Sequence, residues 1–344
     1  VVKTNFGVDL TMFNQRLTLS ADVYNSKTQN MLSYAALPSF AGASNYMDNT
    51  GEMTNKGYEF AAELRVVNTP DFKFSLAGNI AHNEAEITKY AETDYTDILG
   101  ATVMTREGDA PCLFYGYKYK GVFKSADNMA ADPASFRYED AGGNMMTPEA
   151  GDAIFENVDK TGDANGIQYI TEADRTIIGD PNPDFFGSFS TRFSYKRLTL
   201  DAMFTYKMGG DVYNALRAKL EGMTGYENQT QAVLNRWRYE GQNTSIPRNA
   251  WGDPLGNARF SDRWIEDGSY LRLKTITLSY TLPATIKYIR NAEVYVQANN
   301  LVTWTEYKGL DPEFSISSSP LYQGIDAGLF PNAQSIFLGI KLGL

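Results

Sequence analysis

The sequence predicts an all-β fold, a transmembrane antiparallel β-barrel to which this chain contributes about nine strands and several long loops. Three observations predict it: recurring two-residue alternation of apolar and polar side chains, strands often ten or more residues long, and connections of two very unequal lengths. No run approaches the ~18 to 20 apolar residues that a membrane helix needs, whereas a barrel strand crosses with only ~9 to 11 alternating ones.

The alternation is read element by element. Phe6, Val8, Leu10 and Met12 alternate with Asn5, Gly7, Asp9 and Thr11. After a turn at Asn14-Gln15, Leu17, Leu19, Ala21 and Val23 alternate with Thr18, Ser20, Asp22 and Tyr24. Tyr58 to Val66 and Phe72 to Ile80 repeat the pattern around a turn at Asn68 to Asp71. Phe185 to Tyr195 and Leu198 to Tyr206 do so around Lys196-Arg197. Ile276 to Leu282, Val294 to Val302 and Ile336 to Leu344 complete the set, with a turn expected at Pro283 to Asn291. The other connections are long, at about 33–51, 88–183, 209–267 and 305–333, and are expected on the extracellular rim. Phe and Tyr near the strand ends suit interfacial girdles, and Trp304 and Tyr307 are assigned there.

Within the loops, Asp211–Met223 and Thr230–Tyr239 are expected to be short helices, and Leu113–Phe123 a strand outside the membrane. Nine strands are an odd number, and bacterial barrels have even ones, so further strands are expected before this segment. The opening Val1-Val2-Lys3 has the form neither of a signal peptide nor of a usual mature start.

Charge and composition exclude several functions. A formal net charge of −10 disfavours nucleic-acid phosphates. Cys112 and His82 are the only residues of their kinds, which argues against a disulfide scaffold, a structural zinc site and a cysteine or serine hydrolase. An outer-membrane barrel enzyme and a secreted adhesin remain the competing classes.

Several stretches together resemble the C-terminal barrel region of SusC/RagA-like TonB-dependent transporters. They are Gly51-Glu52-Met53-Thr54-Asn55-Lys56-Gly57-Tyr58-Glu59, Ile178-Gly179-Asp180-Pro181-Asn182-Pro183, Ser261 to Lys274, Leu278 to Pro283, Ala298-Asn299-Asn300-Leu301 and Gly309-Leu310-Asp311-Pro312-Glu313. The closing Gly339-x-x-Leu342-x-Leu344 resembles a barrel-assembly signal, although it ends in Leu344 rather than an aromatic and carries Phe337. The resemblance implies a barrel of about 22 strands with a plugged lumen. It also implies an outer-membrane location, a plug and TonB contact N-terminal to Val1, a SusD-like surface lipoprotein lid, and import of oligosaccharide or oligopeptide.

For contact with cargo or partner the sequence offers Tyr226, Arg248, Trp251, Arg263 and Trp264, aromatic and basic residues gathered in the 209–267 loop. Ordinary loop packing is the alternative for each. Asp159, Asp163 and Asn165 have the oxygen-rich look of a Ca2+ loop, but Ala164 stands where such a loop places glycine. An Asx-rich turn is the competing reading, and the spacing favours it.

Overall fold

The computed structural model describes residues 1–37, 39–42, 45–124, 132–140, 142–283, 291–313 and 315–343. Its main feature is a nine-stranded antiparallel sheet in which neighbours in sequence are neighbours in space. We number its strands β1 (Val2–Met12), β2 (Leu17–Ala36), β3 (Asn45–Asn68), β4 (Phe72–Lys89), β5 (Pro183–Tyr195), β6 (Leu198–Gly209), β7 (Tyr270–Leu282), β8 (Asn291–Thr305) and β9 (Ser335–Gly343). The turn after Pro283, and Leu344 at the end of the last expected strand, lie outside the described residues. No helix among the described residues is long and apolar enough to cross a membrane.

Pairing carries the alternation across the sheet. Ser20 faces Ala61, Ala61 faces Asn79, Asn79 faces Ser188, and Ser188 faces Thr205. The intervening residues form the other face, which is apolar: Phe6, Phe60, Leu76, Phe189, Leu200, Leu278, Val296 and Leu338 are all exposed. These apolar rows do not meet one another across a dry interior. The two buried hydrophobic clusters contain loop residues only. An exposed apolar belt on a polar-backed sheet is the arrangement that lipid, not water, satisfies.

Register irregularities maintain the two faces. At Lys274 one residue is skipped in the pairing of β6 with β7, so that Phe204 faces Leu273 and Met203 faces Thr275. This bulge switches the parity of β7: Leu271 and Leu273 share the apolar face with Ile276 and Leu278, and Arg272 shares the polar face with Thr275. Glycines give large rings room. A Cβ on Gly57 would stand 2.4 Å from the Tyr24 hydroxyl, and one on Gly339 would stand 2.3 Å from Tyr295 Cζ. On the apolar face Phe189 stacks on Phe204 with centroids 4.6 Å apart.

β2 and β3 pair far beyond the length a bilayer requires, as far as Ala36 with Asn45. The 33–51 connection expected from sequence is therefore largely strand. The three other long connections fold together into a cap at the same end. In the first, Thr176–Gly179, Leu113–Gly116, Ala101–Thr105 and Asp94–Ile98 form a four-stranded sheet. The second and third are joined by Ile265–Asp267, Asp211–Asn214 and Ile325–Asp326.

Two of the expected helices differ from what forms. Asp211–Asn214 is strand, and the helix α1 spans only Ala215–Glu221, started by Asn214, whose side chain accepts the Arg217 N–H at 2.9 Å. Between Thr230 and Tyr239 only Gln231–Asn235 is helical, as a short 3-10 turn. Leu113–Phe123 forms two strands, Leu113–Gly116 and Tyr119–Val122, neither in the large sheet.

Candidate binding surface of the cap

The cap has cores like those of a water-soluble domain. One gathers Ile98, Val103, Cys112, Phe114, Tyr213, Trp264 and Ile325. The other gathers Phe123, Phe136, Tyr138, Phe155, Ile170 and Leu255. Each draws on more than one loop, so the loops hold one another in place. Arg259 adds a further link, with its guanidinium carbon 4.8 Å from the Tyr117 ring centre and 5.1 Å from that of Phe155.

Of the five residues expected to contact cargo or partner, the structure separates three that build the cap from two that face out. Trp264 is 1% exposed, and its indole N–H donates to the carbonyls of Ala258 and Arg259 at 3.3 Å. The guanidinium of Arg263 lies over the Trp264 ring at 4.2 Å, and that of Arg217 lies at 5.2 Å. Burial pulls the Arg263 guanidinium down to about 10. Arg248 donates through Nε to Asp152 Oδ1 at 2.7 Å and through Nη2 to Oδ2 at 3.1 Å. Asp152 is fully buried and also accepts from Asn257 and from the Glu149 N–H. Trp264 is thus shut away inside the cap, while Arg263 and Arg248, both half-buried, are engaged in holding it together. Their partners come from distant parts of the chain, which spacing within one loop does not reveal.

Tyr226 and Trp251 remain. They are 90% and 72% exposed, and their rings lie with centroids 6.3 Å apart and planes at 30°. The Gly252 N–H donates to the Thr224 carbonyl at 2.9 Å and ties the two segments beneath them. Positive φ at Gly252 suits the turn that presents Trp251. Two large rings held open to solvent, side by side, form the one expected contact group that the fold leaves free among the described residues.

The calcium expectation does not fit. Asp163 Oδ1 accepts the N–H groups of Asn165 and Ile167, at 2.9 and 3.0 Å, and those bonds, the Ile167 one foremost, lower its carboxyl. Asp159 Oδ1 accepts the Thr161 N–H at 2.8 Å. Both are Asx turns whose oxygens serve their own backbone, and no cluster of three acidic, His or Cys ligands occurs among the described residues.

The remaining singled-out residues have structural partners. His82 Nδ1 lies 2.6 Å from the Asp184 carbonyl, with its ring between those of Tyr58 and Phe185. Cys112 is buried, and burial pushes its thiol up. Trp304 is 51% exposed at the end of β8. Tyr307 is not a girdle residue: it is buried, and its hydroxyl donates to Asp326 at 2.7 Å.

The family described as TonB dependent receptor-like, beta-barrel, matches residues 2–207, more than half of the chain. The chain belongs to that TonB-dependent receptor family. Along 98% of its length it is 33% identical to TonB-dependent receptor P3 of Formosa agariphila, and 26% identical to TonB-dependent receptor SusC of Bacteroides thetaiotaomicron. The solved structure of the RagAB peptide transporter superposes with a TM-score of 0.76 at 27% identity, covering 99% of this chain and 35% of that one. The SusC/RagA-like resemblance of the motifs and the antiparallel barrel fold class are thereby confirmed. The chain spans about a third of the length of these relatives, which are named receptors or transporters and not enzymes.

Proposed function

We propose that the whole protein imports an oligomeric nutrient, glycan or peptide, across the bacterial outer membrane in a TonB-dependent manner. The observation that carries this reading is one sheet with an exposed apolar belt on one face, a polar opposite face, and a folded cap at the long-loop end. In this reading the belt faces lipid, the polar face lines the lumen around an N-terminal plug, and the cap is extracellular. A SusD-like lipoprotein covers the cap, and Tyr226 and Trp251 contact that partner or the cargo. Relatives named SusC and RagAB support it, the latter as a peptide transporter.

Topology and transport are tested separately. A cysteine in place of Trp251 should react with a membrane-impermeant maleimide on intact cells, and one in place of Gln15 only after permeabilisation. The reverse pattern would overturn the orientation. Deleting the gene in its host should abolish growth on one oligomeric glycan or peptide while growth on its monomer persists. Unchanged growth on every oligomer that the host uses would overturn import.

A further inference from the structure

Two of the stretches that carry the sequence resemblance meet in space. Arg272, on the polar face of β7, is 2% exposed although it belongs to a sheet with no core of its own. What covers it is the loop between β8 and β9. Its Nη2 donates to Asp311 at 2.5 Å, its Nη1 donates to Glu313, and its Nε donates to Thr303 on β8 at 2.9 Å. Asp311 is itself 4% exposed and accepts through Oδ2 from the backbone and side-chain N–H groups of Asn332, at 3.1 and 3.2 Å. Asn332 Nδ2 also donates to Glu313 at 3.0 Å.

The clasp therefore holds the loop near both its beginning, at Asp311, and its end, at Asn332. A neighbouring strand and β7 itself add to it. Lys207 of β6 lies with its Nζ 3.5 Å from the Pro312 carbonyl, and Lys274 lies 3.6 Å from Glu313. The middle of the loop is sewn into the cap, where Ile325–Asp326 pairs with Tyr213 and Asn214.

We propose that the loop between β8 and β9, in its described residues 306–313 and 315–334, is a fixed strap lying against the polar wall at the mouth of the barrel, with Arg272 as its clasp. Its function follows from the proposed import reading, in which that wall lines the passage. The strap then permanently narrows one side of the opening, and Arg272 is a positioning residue for the entry path. Arginine suits the place because its fork reaches two carboxylates and a hydroxyl at once, which an ammonium cannot do with the same geometry. Once Arg272 is lost, the buried Asp311 has no ion-pair partner among the described residues and Glu313 keeps only Lys274 at 3.6 Å, so the strap should lift.

The test uses the full-length protein in detergent, with Pro312→Cys, a buried position, as reporter. In the parent background, labelling by a hydrophilic maleimide should be at least ~10-fold slower than at the exposed Ser318→Cys. Arg272→Met should raise labelling at 312 to near the exposed rate, Arg272→Lys should fall between, and Asp311→Asn should raise it in part. A variant that fails to fold is recognised by loss of the heat-resistant barrel band, and Asp311→Asn then carries the test with the wall arginine intact. Rapid labelling at 312 in the parent, or rates unmoved by Arg272→Met and Asp311→Asn, would overturn the strap. Because labelling requires no transport, its result stands apart from the growth experiment.

Discussion

Replacing Arg248 by Met separates a residue that builds the cap from one that contacts cargo. The change removes two charge-assisted hydrogen bonds from a carboxylate that water does not reach. Breaking a buried ion pair from one side costs about 3–5 kcal/mol. Two features reduce that here. The Arg248 side chain retains 31% exposure, and Asp152 keeps its bonds from Asn257 and from the Glu149 backbone. The contact of Arg248 with Glu149 adds little, because that carboxylate is 70% exposed. The expected local loss is about 2–3 kcal/mol. By the tenfold-per-1.4 kcal/mol rule, the open form of this part of the cap becomes about 30- to 150-fold more populated.

Limited proteolysis of the detergent-purified protein reads that population. Cleavage within 132–182 and 223–260 should accelerate by that factor while the barrel band stays heat-resistant. Asp152→Asn added to Arg248→Met should recover part of the protection, since a neutral amide tolerates the missing cation better. Trp251→Ala should leave proteolysis unchanged, because its ring is largely in solvent. Equal cleavage of parent and Arg248→Met would show that the pair does not hold the loops together. Equal acceleration by Trp251→Ala would show that the exposed ring is part of the core.

Three further outcomes test other parts of the structure. Phe189→Arg on the apolar face should cost about 2–4 kcal/mol in folding into bilayers, and Ser190→Arg on the polar face far less; urea titration in vesicles that ranks them the other way would invert the faces. Gly339→Val should lower barrel stability by about 1–3 kcal/mol by displacing the Tyr295 ring, with recovery on adding Tyr295→Ala; a heat-modifiability midpoint unmoved by the valine would remove the ring-over-glycine argument. Cys112 should resist maleimide at pH 8 in the folded protein and react on denaturation, because burial both shields the thiol and raises its pKa, leaving little thiolate; fast labelling of the native protein would place it at the surface.

The large sheet was legible because a barrel strand writes its two solvents into alternate positions, and Phe185 to Tyr206 shows this around the two-residue turn at Lys196-Arg197. The bulge at Lys274 was not legible, since pairing register depends on the neighbouring strand and one skipped residue looks like ordinary noise in the pattern. In the cap, alternation fails because its strands are short and buried on both sides, as in Ala101–Thr105. Trp264 and Trp251 looked alike from sequence, two tryptophans in one polar loop. Only partners elsewhere in the chain distinguish them: Trp264 packs with Phe114 and Ile325, and Trp251 lies beside Tyr226 with its ring largely in solvent. The Arg272 clasp lay in plain view as two separate motifs, but nothing in their spacing joined them.

The two halves of the structure are stabilised by different solvents. In the sheet, apolar side chains of interior strands such as Phe60, Leu76 and Leu278 are 42–48% exposed, and most of their favourable environment has to come from lipid. In the cap, Phe114, Tyr138, Phe155 and Ile325 are fully or almost fully shielded by protein, and water excluded from their surfaces does the work. One coupling between the halves is the buried Arg272 of the wall, which grips Asp311 and Glu313 of a loop. Because that clasp holds its loop near both ends, it should decide how the loop sits against the wall more than any single core residue of the cap does.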